Sequence, residues 1–297
     1  MVRKVIKQGN NTLTITLPRT WSSKFNIQGG DELNVEEKGK SLILTSKKDS
    51  NFESVEIDIE NSKKFLKRSI TSLYRQGVDE IKVNFKDNKV LTLLQKETSS
   101  LLGFEIVEQG KNYCIIKNVA VAMESEFSTI IKRIFLMLKT NFSEIIIAIK
   151  EKDYAELENI KENEKINNKL VNFCQRTINK KGQLENYKIT STFYMVSQLE
   201  QVADDLRDIC QTLIDNKTPA ISKETLDLIN ACGNIFNKMY TYYYKFNTEQ
   251  LLEMTSEEEE TMKKCKELIQ KKQSFEAIII YHVMSIIKQV HHITDVM

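Results

Sequence analysis

Apolar and polar residues follow three different rhythms along the chain. Through residues 1–48 the period is two: Leu13, Ile15 and Leu17 are interleaved with Thr12, Thr14 and Thr16, and Val5 marks a leading segment of the same kind. That alternation predicts short strands with one covered face. Gly9-Asn10-Asn11 and Gly29-Gly30-Asp31 are turn sequences that require positive φ. Pro18 should end the strand, because it cannot donate to a ladder. Thr20 to Phe25 predicts one or two helical turns, and Glu32–Glu36 with Ser41–Thr45 predicts a hairpin around Lys38-Gly39-Lys40. So few large apolar groups bury little surface alone, which predicts that this segment dimerises.

Residues 53–118 mix both periods. Val55, Ile57 and Ile59 alternate as a strand, and Asn61 or Ser62 can cap a helix that ends at Gly77. Ile81, Val83 and Phe85 alternate again, followed by a helix from about Lys89 to Leu102 that stops at Gly103. Two strands, Phe104–Val107 and Tyr113–Ile116, flank a Gly110-Lys111-Asn112 turn. The order is β-α-β-α-β-β, a small α/β unit. It carries no Gly-rich phosphate loop and no Ser-His-Asp or Cys-His set. Residues 120–297 then keep helical spacing throughout and predict helices at 121–150, 153–179, 184–215, 221–246, 248–271 and 274–296. Gly182 and Pro219 fall between helices, whereas Gly233 falls inside one, where it marks a point of close packing. Short loops between long helices imply antiparallel bundles. Ser197, Gln201 and Val202 recur 88 positions later as Ser285, Gln289 and Val290, on the third helix of each half, which suggests a repeat of three helices.

Length, charge and cysteine content narrow the partners. At 297 residues two or three domains are expected, and 41 % hydrophobic with 28 % charged residues is ordinary for a soluble protein. The net charge of +2 does not mark the whole chain as a polyanion binder, yet Arg3, Lys4, Lys7, Arg19 and Lys24 all precede the first carboxylate, Asp31. A basic leading segment reads either as a phosphate-backbone contact or as a solvated basic end. Cys114, Cys174, Cys210, Cys232 and Cys265 form no C-x-x-C pair and read as reduced core thiols. No signal peptide is expected, and runs such as Ile145–Ile149 are far shorter than the roughly 20 residues that cross a bilayer. The expected location is the cytoplasm, with no membrane insertion.

One helix carries chemistry. In Leu199-Glu200-Gln201-Val202-Ala203-Asp204-Asp205-Leu206-Arg207-Asp208-Ile209, the apolar residues make a bundle-facing stripe. Glu200, Asp204 and Asp208 are each four apart and stack on one strip beside it. Only Arg207 lies close in sequence to neutralise them. The strip reads as a site for a hard divalent cation, or as an acidic face neutralised by lysines of neighbouring helices. Glu158 and Glu162 form a further pair that reads as an exposed acidic face. His291 and His292 are adjacent, about 100° apart on a helix, which argues against a shared zinc site with His282.

These residues resemble two known families. Gly9, the Thr12–Leu17 strand, Leu17-Pro18-Arg19, Trp21 and Gly30-Asp31-Glu32-Leu33 ahead of a hairpin are similar to the AbrB/MazE-type swapped-hairpin DNA-binding domain. The acidic helix resembles the Glu/Asp-x-x-x-Asp motif of PhoU, the phosphate-uptake regulator built from two three-helix bundles. The whole arrangement resembles archaeal PhoU-like regulators with an AbrB-type domain in front. The resemblance implies an α+β multidomain fold: an AbrB-like DNA-binding and dimerisation domain at 1–48, a small α/β linker domain at 53–118, and a PhoU-like helical domain at 120–297 with repeats 120–216 and 221–297. It assigns Glu200 and Asp204, with Asp208 nearby, to a possible divalent metal (Fe, Mn, Zn or Mg) on the first bundle. The second bundle departs from the motif, placing Lys288 and His292 where the acids should stand, and Lys288 would repel a cation.

In the implied domain, Leu13, Ile15 and Leu17 build the core of a dimer. Arg19 is left at a sheet end near Arg3, Lys4 and Lys7, a basic surface for duplex phosphates. Trp21 reads as a core anchor rather than a base-stacking residue. The leading functional reading is a homodimeric DNA-binding transcriptional regulator in phosphate uptake or homeostasis, its helical part serving as sensor or partner-binding module. The alternative is a signalling adaptor that does not bind DNA and contacts a phosphate transporter or kinase. An enzyme ranks last, since no nucleophile–base pair accompanies the carboxylates.

Overall fold

The computed structural model describes residues 2–9, 12–46, 52–59, 63–87, 89–119, 126–181, 188–217, 220–272 and 275–297. The chain divides into two compact units, Met1–Glu53 and Ser54–Met297.

In the first unit, β1 (Ile6–Gln8) pairs antiparallel with β2 (Thr12–Thr14), with Lys7 opposite Leu13. A short helix α1 (Arg19–Lys24) follows, and then the hairpin of β3 (Leu33–Lys38) and β4 (Ser41–Ser46). Lys38 pairs with Ser41, so Gly39 and Lys40 make a two-residue turn, and Gly39 supplies its positive φ of 59°. Two sequence expectations need correction. The strand expected to reach Leu17 ends at Thr14, and Pro18 instead stands at the N-cap of α1 with φ −61° and ψ 126°. Its ring fixes φ near that value, and its carbonyl accepts the Ser22 N–H at 2.9 Å. Leu13 and Ile15, expected as core, are 70 % and 54 % exposed. No described residue of this unit is buried, because two thin hairpins and one short helix offer no second layer.

In the second unit, β5 (Ser54–Ile59), β6 (Glu80–Phe85), β7 (Phe104–Gln109) and β8 (Tyr113–Asn118) form a sheet in the order β5-β6-β8-β7. β5 and β6 are parallel and the other pairs antiparallel. Helix α2 (Lys63–Gln76) is the crossover that the parallel pair requires, and α3 (Lys89–Ser99) leads into β7. Period-two patterning sorts the faces. Ile81, Val83, Phe85, Cys114 and Ile116 are buried with Leu66, Ile70 and Tyr74 of α2 and Leu94 of α3. The other face is polar, and Lys82 pairs there with Glu56 at 2.8 Å. The expected caps Asn61 and Ser62 lie outside the described residues.

Six long helices complete the unit: α4 (Phe127–Glu151), α5 (Tyr154–Lys181), α6 (Ile189–Asp215), α7 (Lys223–Tyr244), α8 (Thr248–Ile269) and α9 (Phe275–Asp295). Each falls within or close to one of the predicted helical spans; the expected starts at 121, 184 and 274 lie outside the described residues. α4, α5 and α6 pack as one set and α7, α8 and α9 as another, with α6 on α9 and α4 on α7 between them. One continuous apolar core runs through both sets. Gly233 sits where α7 meets α4: a Cβ there would lie 3.3 Å from the Phe142 Cβ. Helix α2 packs on α5 as well as on its own sheet. The contact is closest where α2 ends, at Gly77 (φ 97°), whose missing Cβ would lie 3.2 Å from that of Lys180. All five cysteines are buried and free. Among the described residues no helix is long and apolar enough to cross a membrane.

Candidate nucleic-acid interface and acidic strip

Arg3, Lys4, Lys7, Arg19 and Lys24 are all exposed. Arg3 and Lys4 precede β1, Lys7 lies on it, and Arg19 and Lys24 open and close α1. Arg19 was expected at a sheet end; it is the first residue of a helix instead, because Pro18 begins a turn rather than merely ending a strand. The first turn of α1 contains no acidic residue, so nothing on that turn neutralises Arg19. Lys24 Nζ lies 5.3 Å from the centroid of the Phe25 ring. Trp21 is half-buried, its ring 5.7 Å from that of Phe25.

In the second unit, the acidic strip of α6 meets arginines. Arg75 of α2 donates from Nη2 to Glu200 Oε1 at 3.0 Å and from Nε to Asn172 Oδ1 at 2.5 Å. Arg207 reaches Asp204 at 2.6 Å, Asp208 at 3.0 Å and Glu164 of α5 at 3.2 Å. Partial burial pushes the Asp204 carboxyl up to about 6 against the pull of Arg207, with Glu164 and Glu200 adding repulsion. The strip is thus a place where two guanidinium groups meet four carboxylates. Among the described residues, no group of three or more His, Cys, Asp or Glu side chains is arranged to hold a metal ion. Glu158 and Glu162 pair with Lys161 and Lys165 on their own helix.

The three histidines have separate surroundings. His282 Nδ1 is 2.7 Å from Asp205 Oδ1, and Gln289 Nε2 donates to Asp205 Oδ2 at 3.0 Å, joining α9 to α6. His291 Nδ1 is 3.0 Å from Glu258, whereas the His292 ring lies 6.4 Å from that of Tyr194. Lys288 is exposed on α9.

Sequence reasoning missed the polar junction between α2 and α5. Arg176 is 3 % exposed and donates to the carbonyls of Tyr74 and Val78 and to Asp79 Oδ1, at 3.1, 2.6 and 2.8 Å. Its guanidinium also lies 5.1 and 5.2 Å from the Tyr74 and Phe104 rings. Lys180 pairs with Asp79 too, and Asn179 donates to the Arg75 carbonyl at 2.7 Å. The one local signal was an arginine placed among Phe173, Cys174, Thr177 and Ile178, a buried stretch of α5.

A family model described as "Antidote-toxin recognition MazE, bacterial antitoxin" matches residues 6–52. The first unit is therefore similar to a MazE/AbrB-like domain from β1 to β4, and the match includes none of residues 54–297. No curated protein matches the chain.

Proposed function

We propose that the chain is a DNA-binding transcriptional regulator of the cytoplasm, homodimeric through its first unit, and not an enzyme. The observation that carries the reading is a MazE-matching segment with exposed Lys7, Arg19 and Lys24, led in by exposed Arg3 and Lys4, and with no buried residue among those described. A second copy gives Leu13 and Ile15 a layer to pack against, and at about 25 cal/mol per Å² such faces are worth covering. It also doubles the basic cluster across a twofold axis, suited to duplex phosphates. On this reading the two three-helix sets of residues 126–297 act as a PhoU-like sensor or partner-binding module in phosphate uptake or homeostasis. The supports are the acidic motif on α6 and the three-plus-three packing. The test is an anisotropy titration of the full chain on DNA from its own promoter region over a salt series. The expected result is an affinity that falls linearly with log salt concentration. A flat response, or no binding at low salt, favours the adaptor that contacts a transporter or kinase.

A further inference from the structure

Helices α2 and α3 enclose a groove of about 650 Å³ on the α/β fold. Its lining includes the apolar Leu93 and the 1 % exposed Leu66, together with Lys67, Arg68, Thr71 and Arg75. One carboxylate, Glu97, lines the groove. Helix α2, Lys63–Gln76, contains no acidic residue at all, so the excess of positive charge belongs to the helix itself. Neither Lys67 nor Arg68 has an ion-pair partner among the described residues. The cavity on the opposite side of the sheet differs. There Lys82 is held by Glu56, and the Tyr113 hydroxyl donates to Glu108 at 2.6 Å, so its polar groups are engaged with each other. Concave shape, apolar lining and a few convergent cations are the attributes of a small-molecule site, and the sign of the charge selects an anion.

We propose that the α2–α3 groove binds a small organic anion whose apolar body lies against Leu93 and whose phosphate or carboxylate head is held by Lys67 and Arg68. Arg75 connects this groove to the helices, since the same guanidinium bonds Glu200 of α6 and Asn172 of α5. An anion that draws Arg75 toward the groove competes with Glu200 for it. The two sites are therefore coupled with a negative sign between ligand binding and the Arg75–Glu200 ion pair. This inference is independent of DNA binding, and its readout involves no DNA.

The experiment is calorimetric titration of the full chain with octyl phosphate below its micelle concentration, beside inorganic phosphate and octyl glucoside, with hydrogen exchange to locate the contact. Octyl phosphate is expected to bind saturably and to protect peptides of α2 and α3. Inorganic phosphate and the uncharged glucoside should each bind at least tenfold more weakly. Lys67→Glu/Arg68→Glu should weaken octyl phosphate at least tenfold, and Ser72→Asp, a single exposed change on the same helix, severalfold. Glu200→Gln, which releases Arg75, should tighten binding. Affinity for octyl phosphate unchanged in both groove variants, equal affinity for the glucoside, or protection confined to residues 1–53 overturns the assignment. A Glu200→Gln affinity no better than that of the native chain overturns the role of Arg75.

Discussion

Arg176 of α5 and Asp79, which immediately precedes β6, form an ion pair of 2.8 Å with side chains 4 % and 8 % exposed. Such a pair is costly to break, because the partner left behind is a charge without solvent. Arg176→Met is expected to destabilise the second unit by about 3 kcal/mol, the lower end of the range for a broken buried pair, since Lys180 still reaches Asp79. Urea midpoints of the two proteins measure it.

The first unit should hold two chains together. Sedimentation equilibrium of the full chain at micromolar concentration is expected to give a dimer. Leu13→Asp/Ile15→Asp, which puts charge on two exposed apolar side chains of this unit, is expected to give a monomer. A dimer of the variant places the interface elsewhere.

Arg19→Ala tests the basic surface. Arg19 is exposed and its removal leaves no buried gap, so the melting temperature should stay unchanged while DNA affinity drops. The slope of log affinity against log salt should shrink by roughly 1 for each phosphate that Arg19 no longer neutralises.

Much of this architecture was legible in the chain. The β-α-β-α-β-β order and the six helices followed from periodicity, because each element buries one face and so imposes its own period. Gly233 announced the close approach of α4 and α7 by being the wrong residue for a helix interior. What periodicity does not carry is pairing across long sequence separation. Arg75 and Glu200 belong to different layers of the same unit, and nothing local to either names the other. The strip on α6 therefore looked short of cations when Arg75 stood ready to meet it. Pro18 was read half right: the pattern anticipated helical turns over Thr20–Phe25 but carried the strand on to Leu17, whereas the strand ends at Thr14 and the proline caps the helix.

Asp204 gives the second unit a pH signature. Its folded pKa of about 6 lies above the ordinary value of 3.8, so the folded chain keeps a proton that the unfolded chain has already released. Stability from this group is full below pH 3.8, falls as pH rises to about 6, and is level beyond. After allowance for solvent screening the drop is roughly 1–2 kcal/mol. Asp204→Asn should flatten that stretch of a stability-against-pH curve measured by denaturant titration.

Arg207 stands among Asp204, Asp208 and Glu164, where a divalent ion would have to displace it. Arg207→Gln leaves those carboxylates uncompensated. Manganese or zinc should then raise the melting temperature of the variant by several degrees more than that of the native chain, by the ordinary linkage of binding to folding. An equal response in both proteins shows that the guanidinium is not the obstacle.

The two helix sets share one core, and that has a mechanical cost. Phe142 and Phe236 meet across α4 and α7 with ring centroids 5.4 Å apart, while Asp205 of α6 is hydrogen-bonded by Gln289 of α9. Swinging one set away from the other would wet those rings and orphan that carboxylate, so the two sets have no cheap hinge between them. Motion in this region has to be of the shear kind, in which packed helices slide by small steps while their side chains stay interlocked. A bundle built this way works like a laminated spring, passing on small displacements without ever opening.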